Sequence, residues 1–119
     1  MTVSRSATKG KVVLVPFPFD DLSFNKVRAA VCLTNPVGPH RHVVLAFITS
    51  QTPPDPQPTD VTLSSADPGF AATGLRVPST IRLHRLMTVT TSLIRRELGR
   101  LPAAIQAQVD ARLRLLFGL

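Results

Sequence analysis

Three short apolar runs limit how this chain can fold. They are KVVLVP (Lys11 to Pro16), VRAAVCLT (Val27 to Thr34) and HVVLAFITS (His42 to Ser50). Each reads as a strand, and the continuously apolar first run fits a strand buried on both faces. Pro16 and Pro18 end the first run, because neither can donate to a ladder. Asn35-Pro36 ends the second, and the short VGPHR connection folds the third back on it as an antiparallel hairpin.

The next ten residues, QTPPDPQPTD, hold four prolines and read as an extended, exposed loop. Val61 to Leu63 is a short strand by composition. Ser79 to His84 alternates, with Ile81 and Leu83 on one face and Thr80, Arg82 and His84 on the other, and Leu86 to Val89 adds one more short strand. SLIRREL followed by Gly99 predicts a short helix with a glycine stop. Pro102 opens a final helix whose stripe is Ile105, Val109, Leu113 and Leu116, with Arg112 at its edge. The sum is a mostly antiparallel β unit of five or more short strands closed by C-terminal helix, with no internal repeat and no βαβ alternation.

A chain of 119 residues is one domain. No tract approaches the roughly 20 apolar residues of a membrane span. The polar, basic start MTVSRSATKGK lacks the apolar core of a secretory signal, so residues 1–9 read as a flexible tail and residues 10–119 as the domain. Cys32, the single cysteine, sits in an apolar run and reads as a small buried hydrophobe, which leaves no intrachain disulfide. These features predict a soluble cytoplasmic protein.

Charge gives the first functional direction. Fourteen Lys and Arg against seven Asp and Glu leave a net +7, which favours a polyanion or an acidic protein partner. With six Phe and no Trp or Tyr, base stacking falls to Phe and to Arg planes. There is no GxSxG, HExxH or Walker loop. His40 and His42 flank Arg41 in a turn, and the acidic residues are scattered, with only Asp20 and Asp21 adjacent. No cofactor or metal is implied. Arg28, at the start of an apolar strand, reads either as an edge residue whose stem lies on apolar surface or as an anion site. Thr49 and Ser50 end the third run in hydroxyls, which either satisfy local backbone or serve a ligand. One reaction needs no more than this: cleavage of RNA by its own 2′-hydroxyl, where the protein aligns the phosphate and stabilises its growing charge.

The run GKVVLVPFPFDDLSFNKVRAAVCLT (residues 10–34) resembles the start of MazF/PemK-type toxins. FITS (residues 47–50), TGLRVPS (residues 73–79), RLHRLMTV (residues 82–89) and ELGRLP are similar to that family in the same order, and the likeness covers nearly the whole chain from Gly10. The resemblance implies an SH3-like antiparallel barrel with C-terminal helix, usually a homodimer. It also implies a metal-independent, sequence-selective endoribonuclease acting on single-stranded mRNA, and a cognate acidic antitoxin. By the motif, Arg28 takes the place of the family's catalytic Arg and Thr49 that of its catalytic Thr, with Ser50 beside it. Phe17, Phe19 and Lys26 are expected to line an RNA groove, and Arg82, His84 and Arg85 to contact the RNA backbone. Lys11 stands where the family has an acid, and Ala29 where it has proline after the Arg. The alternative on the same scaffold is a non-catalytic or gyrase-poison-like binding protein.

Overall fold

The computed structural model describes residues 8–16 and 26–119. Six strands, β1 (Lys11–Pro16), β2 (Val27–Cys32), β3 (His42–Thr49), β4 (Asp60–Leu63), β5 (Ser79–Thr90) and β6 (Arg96–Arg100), are followed by one helix, α1 (Ala103–Phe117). They form a single curled antiparallel sheet in the order β4-β5-β3-β2-β1-β6. The fold is thus mainly β with one C-terminal helix, as the sequence predicts.

The continuous apolar run of β1 is buried on both faces as predicted, and β2 and β3 share that burial. Alternate residues of β1, β2 and β3 enter two separate cores, one on each face of the sheet. Val12, Val31, Ala46 and Ile48 join Val61, Leu63, Ile81 and Leu83 under Ile105 and Val109 of α1. Val13, Val15, Ala30, Cys32, Leu45 and Phe47 make the second cluster. Burial pushes the Cys32 thiol up to about 11, against a smaller opposing pull from Lys11, so it stays protonated at neutral pH. The α1 stripe is as read: Ile105 and Val109 are buried, and Leu113 and Leu116 pack against the same core. Each buried Val, Leu or Ile contributes about 1.5–3 kcal/mol relative to exposure.

Two expectations are corrected. SLIRREL is not a helix: Thr91–Leu93 makes one 3₁₀ turn, and Arg96–Arg100 is a strand paired with β1. Gly99 is therefore not a helix stop. A Cβ there would run into the carbonyl oxygen of Ala72, so glycine is needed for β6 to lie backbone-to-backbone against the 3₁₀ turn Phe70–Thr73. The segments Ser79–His84 and Leu86–Val89 are one strand, not two. Phe47 pairs with Arg82 and its neighbour Ala46 with Leu86, so Leu83, His84 and Arg85 bulge out of register. A bulge bends the strand and re-aims side chains. Here it turns His84 and Arg85 toward the site described next.

At the N-terminal end of the described chain, the backbone amides of Thr8 and Lys9 donate to Asn35 Oδ1 at 2.9 and 3.0 Å.

Candidate nucleic-acid interface

The ends of β2 and β3 meet a groove of about 700 Å³. Its far walls are the proline-rich segment after β3 and the Leu75–Val77 stretch before β5. Ala30 pairs with Phe47 at this end of the β2–β3 ladder, and Arg28 and Thr49 lie two residues beyond that pair on their own strands. Both line the groove, with Ser50. Arg28 is half-buried and, among the described residues, has no carboxylate partner. The Thr49 Oγ1 accepts a hydrogen bond from the Gln51 amide at 3.1 Å. That contact fixes the oxygen and leaves its O–H to donate to a ligand.

Of the remaining sequence-predicted residues, His84 and Arg85 line the groove. The Arg85 guanidinium lies 4.7 Å from the centre of the Phe47 ring, a cation–π contact that orients it. Arg82 also lines the groove but is only 6% exposed. Its Nε donates to Asp60 Oδ1 at 3.1 Å, its Nη1 to Asp55 Oδ1 at 3.0 Å and its Nη2 to the Asp55 carbonyl at 3.0 Å. The expected contact to RNA backbone thus meets a guanidinium already committed to two aspartates. Lys26 is exposed just before β2 and is not among the groove residues. Phe17 and Phe19 lie outside the described residues.

Two charged groove residues were not singled out from the sequence. Arg76 is exposed on the wall. It is placed there by Thr73, whose hydroxyl donates to the Phe70 carbonyl at 2.6 Å and accepts from the Leu75 amide at 3.1 Å. Its only signal was membership of TGLRVPS. Asp55, on the proline-rich loop, is the one carboxylate among the described residues that lines the groove. The hydrogen bond from Arg82 holds its carboxyl below the usual carboxylate range. Arg112 of α1 secures the end of the same loop, donating to the carbonyls of Pro58 and Asp60 at 2.7 and 2.8 Å.

The site is a cationic groove on a curled antiparallel sheet, lined by arginines and by the Thr49–Ser50 hydroxyl pair, in a small β domain. Residues 8–117 match the family model described as PemK-like, MazF-like toxin of type II toxin-antitoxin system, and the chain belongs to that family. Among solved structures it resembles the Mycobacterium tuberculosis toxin MazF-mt6, at 21% identity and a TM-score of 0.68, over 92% of this chain and 97% of that one. It also resembles a mycobacterial endoribonuclease in complex with its cognate antitoxin (17%, TM-score 0.68, 95% and 96%). A third neighbour is MazE-MazF (Form-II) from Deinococcus radiodurans (19%, TM-score 0.67, 96% and 97%). No match was found among curated protein sequences.

Proposed function

We propose that this toxin is an endoribonuclease that cuts single-stranded RNA without a metal, by attack of the 2′-hydroxyl on the adjacent phosphate. The observation that carries the reading is the convergence of Arg28, with no carboxylate partner among the described residues, and the Thr49–Ser50 hydroxyls on one groove. In the reaction the 2′-oxygen bonds to phosphorus and the bond to the 5′-oxygen breaks. The 2′ proton is lost, and one is returned to the leaving 5′-oxygen. A cyclic 2′,3′-phosphate and a 5′-hydroxyl result.

Arg28 holds the phosphate with its fork of donors and stabilises the charge that builds on the non-bridging oxygens. An arginine guanidinium has donors and no acceptor, so the role given to Arg28 is electrostatic rather than that of a general base. Thr49, assisted by Ser50, donates a hydrogen bond to the same phosphate. Arg76 and Arg85 carry the flanking backbone, and His84 stands at the groove where a proton carrier is needed. The partner expected for this surface is an acidic antitoxin segment that lies in the same groove, in keeping with the antitoxin complexes among its structural neighbours. The toxin is expected to act in the cytoplasm as a homodimer.

The test is incubation of purified protein with a long single-stranded RNA in EDTA, followed by mapping of the new ends, beside DNA of the same sequence. Cleavage of RNA alone, ending in cyclic phosphate, is the expected result. A requirement for added Mg²⁺, or equal cutting of DNA, would falsify the mechanism.

A further inference from the structure

A second concavity lies across the proline-rich loop from the cationic groove. Its volume is about 330 Å³, at the lower end of small-ligand sites, which run roughly from 300 to 1,000 Å³. The two share the segment Ser50–Pro53 and Ser79, so a chain bound at Ser50 can turn from one into the other. Their chemistry differs sharply. The groove carries Arg28, Arg76, Arg82, His84 and Arg85. The second pocket has no cationic lining residue among those described, and its one carboxylate, Asp60, is already paired with Arg82.

What lines it instead is apolar ring surface from Pro53, Pro56 and Pro78, with hydroxyls that include those of Thr62 and Thr80. Asp60 pairs with Arg82 across β4 and β5, and Thr62 with Thr80 two residues on, so these two hydroxyls are set by strand register rather than by a loop. Proline faces suit a flat ring, and the hydroxyls can both donate and accept along its edge. A phosphate would find no cation there. In nucleic-acid recognition, phosphate contacts position the chain and base contacts specify it. We infer that this neutral pocket takes a nucleobase next to the phosphate held at Arg28 and Thr49, and that it reads base identity. The inference rests on the nuclease reading for its substrate, and its test does not require cleavage.

The experiment measures equilibrium binding of four single-stranded 2′-O-methyl oligoribonucleotides, one for each base, whose blocked 2′-oxygen prevents cutting. Wild type is compared with the double variant Thr62→Val, Thr80→Val, which keeps branched side chains suited to strands and removes both hydroxyls. Thermal unfolding checks that the variant is folded. The expected result is a preference among the four bases that falls by roughly tenfold in the variant, the scale of lost base-edge contacts. Its salt dependence should stay unchanged, because no phosphate contact is lost. An unchanged preference overturns the pocket's role. So does an equal loss for all four oligomers with a shallower salt slope, which would make it a backbone contact, and so does failure of wild type to bind any of them. Wild type that binds with a preference but never cuts plain RNA removes the nuclease reading and leaves the base pocket standing.

Discussion

Arg28 and Arg82 line one groove from β2 and β5, the two strands that flank β3. Their cross-strand neighbours decide what each can do. Arg28 pairs with Val15 of β1, which offers it no charge, and it is half-buried beside the Thr49–Ser50 end of β3. Arg82 pairs with Asp60 of β4 and also receives Asp55 from the loop. The same side chain is therefore without an ion pair among the described residues at one position and locked into the fold at the other. Local sequence does not distinguish them; the partners supplied by register do.

The sharpest way to break this comparison is to truncate both arginines and measure stability and activity together. Arg82→Ala leaves Asp60, whose side chain is 7% exposed, without its cation. Removing one member of a buried pair costs about 3–5 kcal/mol, so chemical denaturation should show a large loss. Arg28→Ala should barely move the unfolding midpoint, within about 0.5 kcal/mol, because it breaks no ion pair among the described residues. RNA cleavage by folded Arg28→Ala should nonetheless fall about 10²- to 10³-fold, the usual cost of one charge-stabilising donor. If Arg28→Ala unfolds the protein while Arg82→Ala does not, the two roles have been assigned the wrong way round.

The contrast also shows why some of the molecule was legible in its sequence. β1, β2, β3 and α1 were readable because each signal is local: a continuous apolar run, a proline stop or an i, i+4 stripe. β6 was not. Leu93, Arg95, Arg96, Glu97 and Leu98 are ordinary helix formers, and only pairing with β1 and the backbone approach at Gly99 make their neighbourhood extended. β5 was split in two because its bulge interrupts the alternation at Leu83 to Arg85. At the site, Arg28 and Thr49 were singled out through motif, and both line the one groove. The two aspartates that hold Arg82 were not foreseen, because they lie 22 and 27 residues away in the chain and reach it only once β4 and the loop before it dock.

Thr49→Ala offers an intermediate effect. Its hydroxyl is a neutral donor, and the contact it makes in the free protein is to the Gln51 amide. Loss of a neutral hydrogen bond is worth about 0.5–1.5 kcal/mol, so cleavage should drop by roughly tenfold, less than for Arg28→Ala. Steady-state kinetics on one RNA oligomer would check the ranking. A Thr49→Ala loss equal to that of Arg28→Ala, combined with a silent Ser50→Ala, would shift the main stabilising role from the cation to the hydroxyl.

The smallest effect belongs to Asp55, and it sharpens the comparison through pH. Arg82 holds the Asp55 carboxyl below its ordinary value, but Asp55 is 65% exposed, so its contribution to stability is weakened by solvent. A lowered folded value means that the contribution is fully present above the unfolded carboxylate pKa, near about 4, and is lost as pH falls through the lowered folded value. Asp55→Asn removes that linkage while keeping an oxygen for Arg82. Between pH 7 and about 4 the variant should therefore unfold slightly earlier than wild type, by a constant margin, and the gap should close only at more acid pH. Arg28→Ala should show no such acid-dependent gap, because no carboxylate among the described residues is tied to Arg28. Unfolding midpoints taken at intervals from pH 7 to 2 would decide. A gap that closes between pH 7 and 5, or one that persists unchanged to pH 2, would mean that the Asp55 carboxylate is not held by Arg82, and the loop wall of the groove would need another anchor.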